Sequence, residues 1–567
     1  MSASSPEDRI LSNLSRRAFV GVGIAGAIAA VTGLSPTEAE AEAETDAVVA
    51  PVTTSAAPPA FALEEATISQ LQQWMASGRY TSRALCEMYL KRISEVDRTG
   101  PAIRAVLQLN PDVLAIADEF DAERKAGHLR GPLHGIPVLI KDNIDTHDRM
   151  TTAAGSLALA KSIAPRDSFV ASRLRLAGAV ILGKTNLSEW ANYRSTHSSS
   201  GWSGMGGQTH NPYALDRTPS GSSSGSGAAA AASLCAIAVG TETDGSITSP
   251  SAAQSLVGIK PTVGLISRAG IIPISHSQDT AGPMARTVTD AAILLGALTG
   301  VDSRDVATAA SRAHSRTDYT TFLDANGLKG ARIGIPRKNY FGYSVATDAI
   351  IEHAIAVMRS AGATVIDPIE LGGEGKGEGD VLSYEFKADV NAYLASLGAA
   401  SPMKTLADLI AFNNAHRAEE MPYFGQEIFE TAEARGPLTE KKYRDALASG
   451  HARSRARGID AAVAKYRLDA IAAPTQGPPS LIDLVNGDPG GGGSASSLPA
   501  VAGYPHITVP AGYSFGLPVG LSLFGPAWSE GVLIKLAYAF EQKTKVRRSP
   551  KFLATANLDA HAADTRG

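Results

Sequence analysis

Cysteine is nearly missing from this chain. Two occur in 567 residues, Cys86 in a helical pattern and Cys235 in an apolar run. Their spacing makes neither a disulfide framework nor a metal site, so both are expected buried and unpaired. Neither H-E-x-x-H nor C-x-x-C occurs, and the 12 histidines are scattered, so no metal is expected. Charge of one sign is also lacking. Lys and Arg number 52 against 56 Asp and Glu, a net charge of −4. That leaves no broad basic field for nucleic acid and no acidic tail. The arginine clusters at Arg453, Arg455 and Arg457 and at Arg547 and Arg548 read as solvated surface. The apolar run Ala18–Ala30 is too short to span a bilayer. With 44% hydrophobic residues, the chain has enough apolar content for one large core or for several domains. The 55 glycines suit tight turns and close packing.

Arg16 and Arg17 stand directly before the Ala18–Ala30 run, and small residues follow it. This order reads as a twin-arginine export signal over 1–43, with an A-x-A cleavage pattern at Ala39–Ala41 or Ala41–Ala43. An Ala/Pro-rich linker over 44–60 follows. The expected location is a bacterial periplasm or the outside, with no stable membrane insertion after export.

Ordered structure is expected over 61–545, with a C-terminal tail at 546–567. Ile68, Leu71, Trp74 and Met75 recur at helical spacing, and Thr81 can cap a second helix. "GIPVLIKDN" (135–143), "AGAVILGKTN" (177–186) and "LCAIAVGTETDGSI" (234–247) are short apolar runs ending in polar residues, set between helical patterns. This alternation predicts an α/β layer with buried strands. "ARIGIPR", "ATVIDPI", "LDAIAAPT" and "PVGLSLFG" extend the same sheet. The polar, helical stretch 376–466 reads as a cap or insertion, and "NGDPGGGGSASS" (486–497) as a flexible loop.

Two motifs fail on context. Gly178–Thr185 matches the phosphate-loop pattern G-x-x-x-x-G-K-T, but its middle residues are Ala, Val, Ile and Leu. Such residues belong to a buried strand whose N–H groups are already used, so they cannot cradle a phosphate. Gly221–Gly225 matches G-x-S-x-G around Ser223. A nucleophile elbow needs a strand immediately before it, and "LDRTPS" is not one. A third combination remains: Lys141 closing an apolar run, the serine cluster at 220–226, and "TETDGS" ending at Ser246. Together they supply a base, a nucleophile and a backbone nest.

"GIPVLIKDN", "GKTNLSEWAN", "SGSSSGSGAAAAA", "GTETDGSI" and "GIKPTVGLISRAG" resemble the amidase signature family, over roughly 68–540. "SGWSGMGGQTHNPYALDRTPSGSSSGSG", "TETDGSI" and "SQDTAGPMAR" look most like the bacterial peptide amidases within it, enzymes that remove the C-terminal amide of peptides. The resemblance implies an α/β/α fold, a large mixed β-sheet covered by helices on both faces. It also implies a Ser–cis-Ser–Lys triad. Lys141 matches the triad lysine, and Ser246, after Gly245, the nucleophile. The family's middle serine lies 24 residues earlier, at Ser222, and Ser223 is the alternative.

An unperturbed lysine, with a pKa of about 10.4, is protonated at neutral pH. Burial at a strand end would disfavour its ammonium form and make it a base. Ser222 could relay a proton from Ser246, because a hydroxyl both donates and accepts. The N–H groups of Thr243, Asp244, Gly245 and Ser246 are the expected oxyanion hole. Many family members have Gly-Gly-Ser where this chain has Asp244-Gly245-Ser246, which reads as a specificity feature. The substrate is expected to be a peptide amide or another small amide, hydrolysed through an acyl-enzyme with no cofactor. Aryl-acylamides are the alternative. A protein like the amide-hydrolysing component of glutamyl-tRNA amidotransferase is a further one, against which the export signal argues. A monomer or a homo-oligomer is expected, with no nucleic-acid partner.

Overall fold

The structure, a computed structural model, describes residues 58–373, 377–490 and 492–566. The predicted export signal and nearly all of the linker lie outside the described residues.

Three apolar runs become the centre of a sheet. Pro137–Lys141 lies parallel to Val180–Thr185 on one side and to Ile237–Glu242 on the other. Every residue of these three strands is buried. That is what a parallel strand covered on both faces requires, and it is why the runs are continuously rather than alternately apolar. The phosphate-loop pattern is accordingly strand. Lys184 is buried with its Nζ donating to the Ile144 carbonyl at 2.6 Å.

Among the described residues, eleven strands form one mixed sheet. From Ile237–Glu242 it continues antiparallel through Thr280–Ala285, Val257–Lys260, His506–Ser514, Leu517–Phe524 and Ala470–Pro474. Arg332–Gly334 and Thr364–Ile366 then close one edge in parallel, and Val106–Leu109 closes the other. Apolar residues of Ile68–Ala76, Ser82–Arg92, Val288–Leu298, Val345–Ser360 and Glu530–Thr544 bury against the sheet in one continuous core. Both cysteines are free and buried. No described helix is long and apolar enough to cross a membrane.

Residues 378–466 are mainly helical. Phe386, Val390, Leu394, Leu406, Leu409 and Phe429 build a second apolar cluster with Ala153, Leu159, Leu187 and Trp190. This cluster holds the loops beyond the central strands in place.

The arginine reading is corrected at Arg547. Its side chain is only 11% exposed, and its guanidinium pairs with Glu65 at 2.7 Å and donates to the Ala231 carbonyl. The chain after the last helix folds back over the domain and carries Arg547 inward, with Phe552 buried behind it.

The serine-rich stretch packs by having almost no side chains. Helix Ser224–Ala231 is wholly buried. A Cβ on Gly225 would lie 2.3 Å from the Ala105 carbonyl oxygen and 2.5 Å from that of Asn186. Both obstacles are backbone and cannot swing aside. Gly225→Ala is therefore expected to cost about 1–3 kcal/mol and to lower the thermal midpoint. An unchanged midpoint would contradict this packing.

Candidate active site

The parallel strand Pro137–Lys141 ends by delivering Lys141 into the protein interior. Its Nζ is fully buried and donates to Ser222 Oγ at 2.8 Å, to Ser223 Oγ at 3.0 Å and to Thr241 Oγ1 at 3.0 Å. The Thr241 carbonyl lies at 3.3 Å. No carboxylate among the described residues touches the amine. Burial pulls its pKa down to about 7, against the smaller upward pull of Asp279 and Glu242.

The two adjacent serines differ in what else they do. Ser223 Oγ donates to the Thr241 carbonyl at 3.0 Å and accepts from the Thr241 N–H at 3.1 Å. It pins the serine segment to strand Ile237–Glu242. Ser222 Oγ has Lys141 as its hydrogen-bond partner. A cis peptide bond joins Gly221 to Ser222. No strand precedes Gly221, so the G-x-S-x-G pattern is not an elbow here.

Ser246 lies in the turn that follows Ile237–Glu242. The Ser223 N–H donates to the Ser246 carbonyl at 3.2 Å, which brings the two serine segments together. No hydrogen bond joins Ser222 Oγ and Ser246 Oγ in this structure. Gly245 has φ +78°, and a Cβ there would meet Ser249 Oγ at 2.9 Å, so glycine is required. The Glu242 carboxylate fixes the turn by accepting from the N–H groups of Ile247 at 2.7 Å and Thr248 at 2.9 Å. The N–H groups of Asp244, Gly245 and Ser246 donate to no acceptor among the described residues. They form a free nest, while Thr243 is fastened through its hydroxyl to Asp279.

Several residues of this site escaped the sequence reading. Asp279 also accepts from the N–H groups of Ile274 and Ser275, at 2.8 and 2.9 Å, and so supports Thr243 from a neighbouring loop. Its only signal was its place in "SQDTAGP". Asp244 accepts from Ser496 Oγ, and from Ser497 Oγ at 2.7 Å. The glycine-rich loop before those serines is tied at Asp488, which accepts from the Ser200 N–H at 3.0 Å. Glu378 stands beside Asp244, and burial together with that neighbour raises its pKa to about 8.

One described cluster has metal-like composition: His276, Glu385 and Asp389. Both ring nitrogens of His276 already face carboxylates, Nδ1 at 2.9 Å from Asp389 and Nε2 at 3.5 Å from Glu385. The hydrogen bond to Asp389 raises the imidazole pKa, which favours the charged form of His276 between the two acids.

A buried lysine poised against a serine, next to a turn with free N–H groups, on a mixed sheet covered by helices, belongs to the class of amide hydrolases. A family model for amidases matches residues 84–534. The chain is 44% identical over 506 residues to a protein of Arabidopsis thaliana named as an amidase, covering 87% of this chain and 93% of that one. The native peptide amidase of Stenotrophomonas maltophilia superimposes with a TM-score of 0.83 at 50% identity, over 87% of this chain and all of that one. A glutamyl-tRNA(Gln) amidotransferase protein of Symbiobacterium thermophilum is 34% identical to it over 504 residues, covering 84% of this chain and 96% of that one. The chain belongs to the amidase signature family.

The localisation expectation is corrected by these relatives. Besides the plant protein, amidase-named relatives come from two fungi, which argues against a bacterial twin-arginine exported protein. The arginine pair that prompted the expectation lies outside the described residues.

The titration of Lys141 carries a sign. Its lowered pKa of about 7 means that it is neutral above that value and an ammonium below it. If it acts as a base, kcat/KM should rise through pH 7 and fall off on the acid side. Lys141→Arg, which cannot lose its proton, should reduce turnover by at least about a thousandfold. A rate flat from pH 5 to pH 8 would contradict the assignment.

Proposed function

We propose that this amidase hydrolyses the C-terminal amide of peptides, releasing ammonia, through a Ser246–Ser222–Lys141 triad. The observation that carries the reading is the 2.8 Å contact of Ser222 Oγ with a fully buried, carboxylate-free Lys141. A lysine there works as a base, and Ser222 is the one of its two serine partners whose hydroxyl is not committed to backbone.

Neutral Lys141 takes the Ser222 proton as Ser222 takes that of Ser246. Ser246 Oγ then bonds to the amide carbon. The negative charge that develops on the carbonyl oxygen is received by the N–H groups of Thr243, Asp244, Gly245 and Ser246. None of the four donates to an acceptor among the described residues. Losing one such donor typically costs about 100- to 1,000-fold in rate. The C–N bond breaks, and the leaving nitrogen takes a proton from Ser222, which is reprotonated by Lys141. Water then attacks the acyl-Ser246 ester, its proton returning along the same relay, and the free acid departs.

The substrate class rests on likeness. A peptide amidase bound to the competitive inhibitor chymostatin matches this chain at 50% identity with a TM-score of 0.84. The Asp244 side chain, fixed by Ser496 and Ser497, separates this turn from a Gly-Gly-Ser turn.

Ammonia release from peptide amides, free amino-acid amides and anilides separates the substrate readings. Peptide amides are expected to be the best substrates, with no internal peptide bond cut. Anilides as the best substrates would replace the reading by an aryl-acylamidase one. Ser246→Ala and Ser222→Ala should each lower kcat by at least about a thousandfold while the thermal midpoint stays within a few degrees.

A further inference from the structure

The 19-residue helix Glu378–Ser396 starts beside the Ser246 turn. Phe386, Val390 and Leu394 anchor it in the second apolar cluster, which gives its first residue a fixed place. That residue, Glu378, is half-buried. Its Oε1 accepts from Gln278 Nε2 at 2.8 Å, and the same nitrogen reaches the Thr243 carbonyl at 3.4 Å. The Glu378 carboxyl is also hydrogen-bonded to that of Asp244. Thr243 and Asp244, consecutive residues of the turn, are therefore both tied to Glu378, one through Gln278 and one directly.

Two ionised carboxylates have no donor between them, so this contact requires a proton on one partner. Asp244 already accepts from Ser496 Oγ and Ser497 Oγ, which suits its ionised form. The proton then belongs to Glu378. Other titratable groups come close from several elements. The Tyr193 phenol feels Glu378, and burial raises its pKa, so it stays neutral. His451 lines the same small void as Glu378, and burial lowers its pKa to about 4, so it too is neutral. Arg453 Nη2 lies 3.5 Å from the place of a Cβ on Gly377. On the helix itself, Asp380 is paired with Arg435 at 2.8 Å and Lys442 at 3.0 Å.

We propose that Glu378 is a positioning residue for amide hydrolysis, which holds the Ser246 turn by donating its carboxyl proton to Asp244. It acts on the N–H groups of Asp244 and Gly245 through the side chain and carbonyl that flank them. The inference rests on the reading of Ser246 as nucleophile and not on which amide is cleaved. Loss of the proton, at about pH 8, sets two negative charges against each other and breaks the tie. It also adds negative charge beside the nest that receives the oxyanion. The protonated form is the active one, so kcat/KM falls as the pH rises through about 8.

The test is the pH profile of kcat/KM, read on whichever amide the enzyme turns over fastest. The native protein should lose activity above about pH 8. Glu378→Gln preserves both hydrogen bonds, because its amide oxygen accepts from Gln278 and its amide nitrogen donates to Asp244, and it cannot ionise. It should keep kcat at neutral pH within about threefold, retain the acid limb of Lys141 and lose the alkaline limb. Glu378→Ala makes neither bond and should lower kcat by about ten- to a hundredfold. An alkaline limb in Glu378→Gln equal to the native one, no decline in the native protein above pH 8, or full kcat in Glu378→Ala would each overturn the inference. If Glu378→Ala fails to fold, the comparison of the native protein with Glu378→Gln decides alone. Continued turnover in Ser246→Ala would remove the nucleophile reading and this inference with it, whereas an unaltered alkaline limb beside an inactive Ser246→Ala overturns this inference only.

Discussion

Lys141 has no counter-ion among the described residues. Its amine lies at the end of a fully buried strand, with two serine hydroxyls, a threonine hydroxyl and a carbonyl around it. An ammonium there would have only dipoles in place of water, and burial moves its pKa down to about 7. The surrounding structure serves this position. The parallel centre of the sheet encloses the lysine, the cis-linked serine segment brings Ser222 to it, and Ser223 locks that segment to the neighbouring strand. The nucleophile candidate sits on the turn that ends this same strand. One strand, Ile237–Glu242, thus sets the position of Thr241, of Ser223 and, through Glu242, of Ser246.

Much of this could be read from the chain because the central strands are buried on both faces. Continuous apolar runs such as "PVLI" and "AVIL" have no other stable place, and a charged residue at their end is conspicuous. Lys141, the serine cluster and the end of "TETDGS" were singled out as candidates in that way, and the family resemblance assigned Ser222 and Ser246 within them. The sequence reading did not find Thr280–Ala285, a central strand whose Gly282 and Pro283 read as turn signals. It also overlooked Val106–Leu109, Val257–Lys260 and most of His506–Ser514, which lack long apolar stretches. Contacts between distant segments were out of reach as well. Nothing local ties Asp244 to Ser496 and Ser497, or Thr243 to Asp279. Arg547 looked like surface charge because its partner, Glu65, lies 482 residues away.

The supports of the Ser246 turn come from opposite directions. Asp279 holds Thr243 from one loop, and Ser496 and Ser497 hold Asp244 from the end of the glycine-rich segment. The N–H groups of Asp244, Gly245 and Ser246, at and just after these two ties, donate to no acceptor among the described residues. Pre-aligned donors of this kind need no reorganisation when charge develops on a substrate oxygen. Asp244 therefore links the loop 494–497 directly to the backbone of the Ser246 turn.

The central claim, that a neutral buried Lys141 activates Ser246 through Ser222, is tested most directly by a serine-directed phosphonate followed by peptide mass mapping. The account predicts a single adduct on Ser246, formed slowly below pH 7 and lost in Lys141→Ala. An adduct on Ser223 or Ser222, or undiminished labelling of Ser246 in Lys141→Ala, would contradict it.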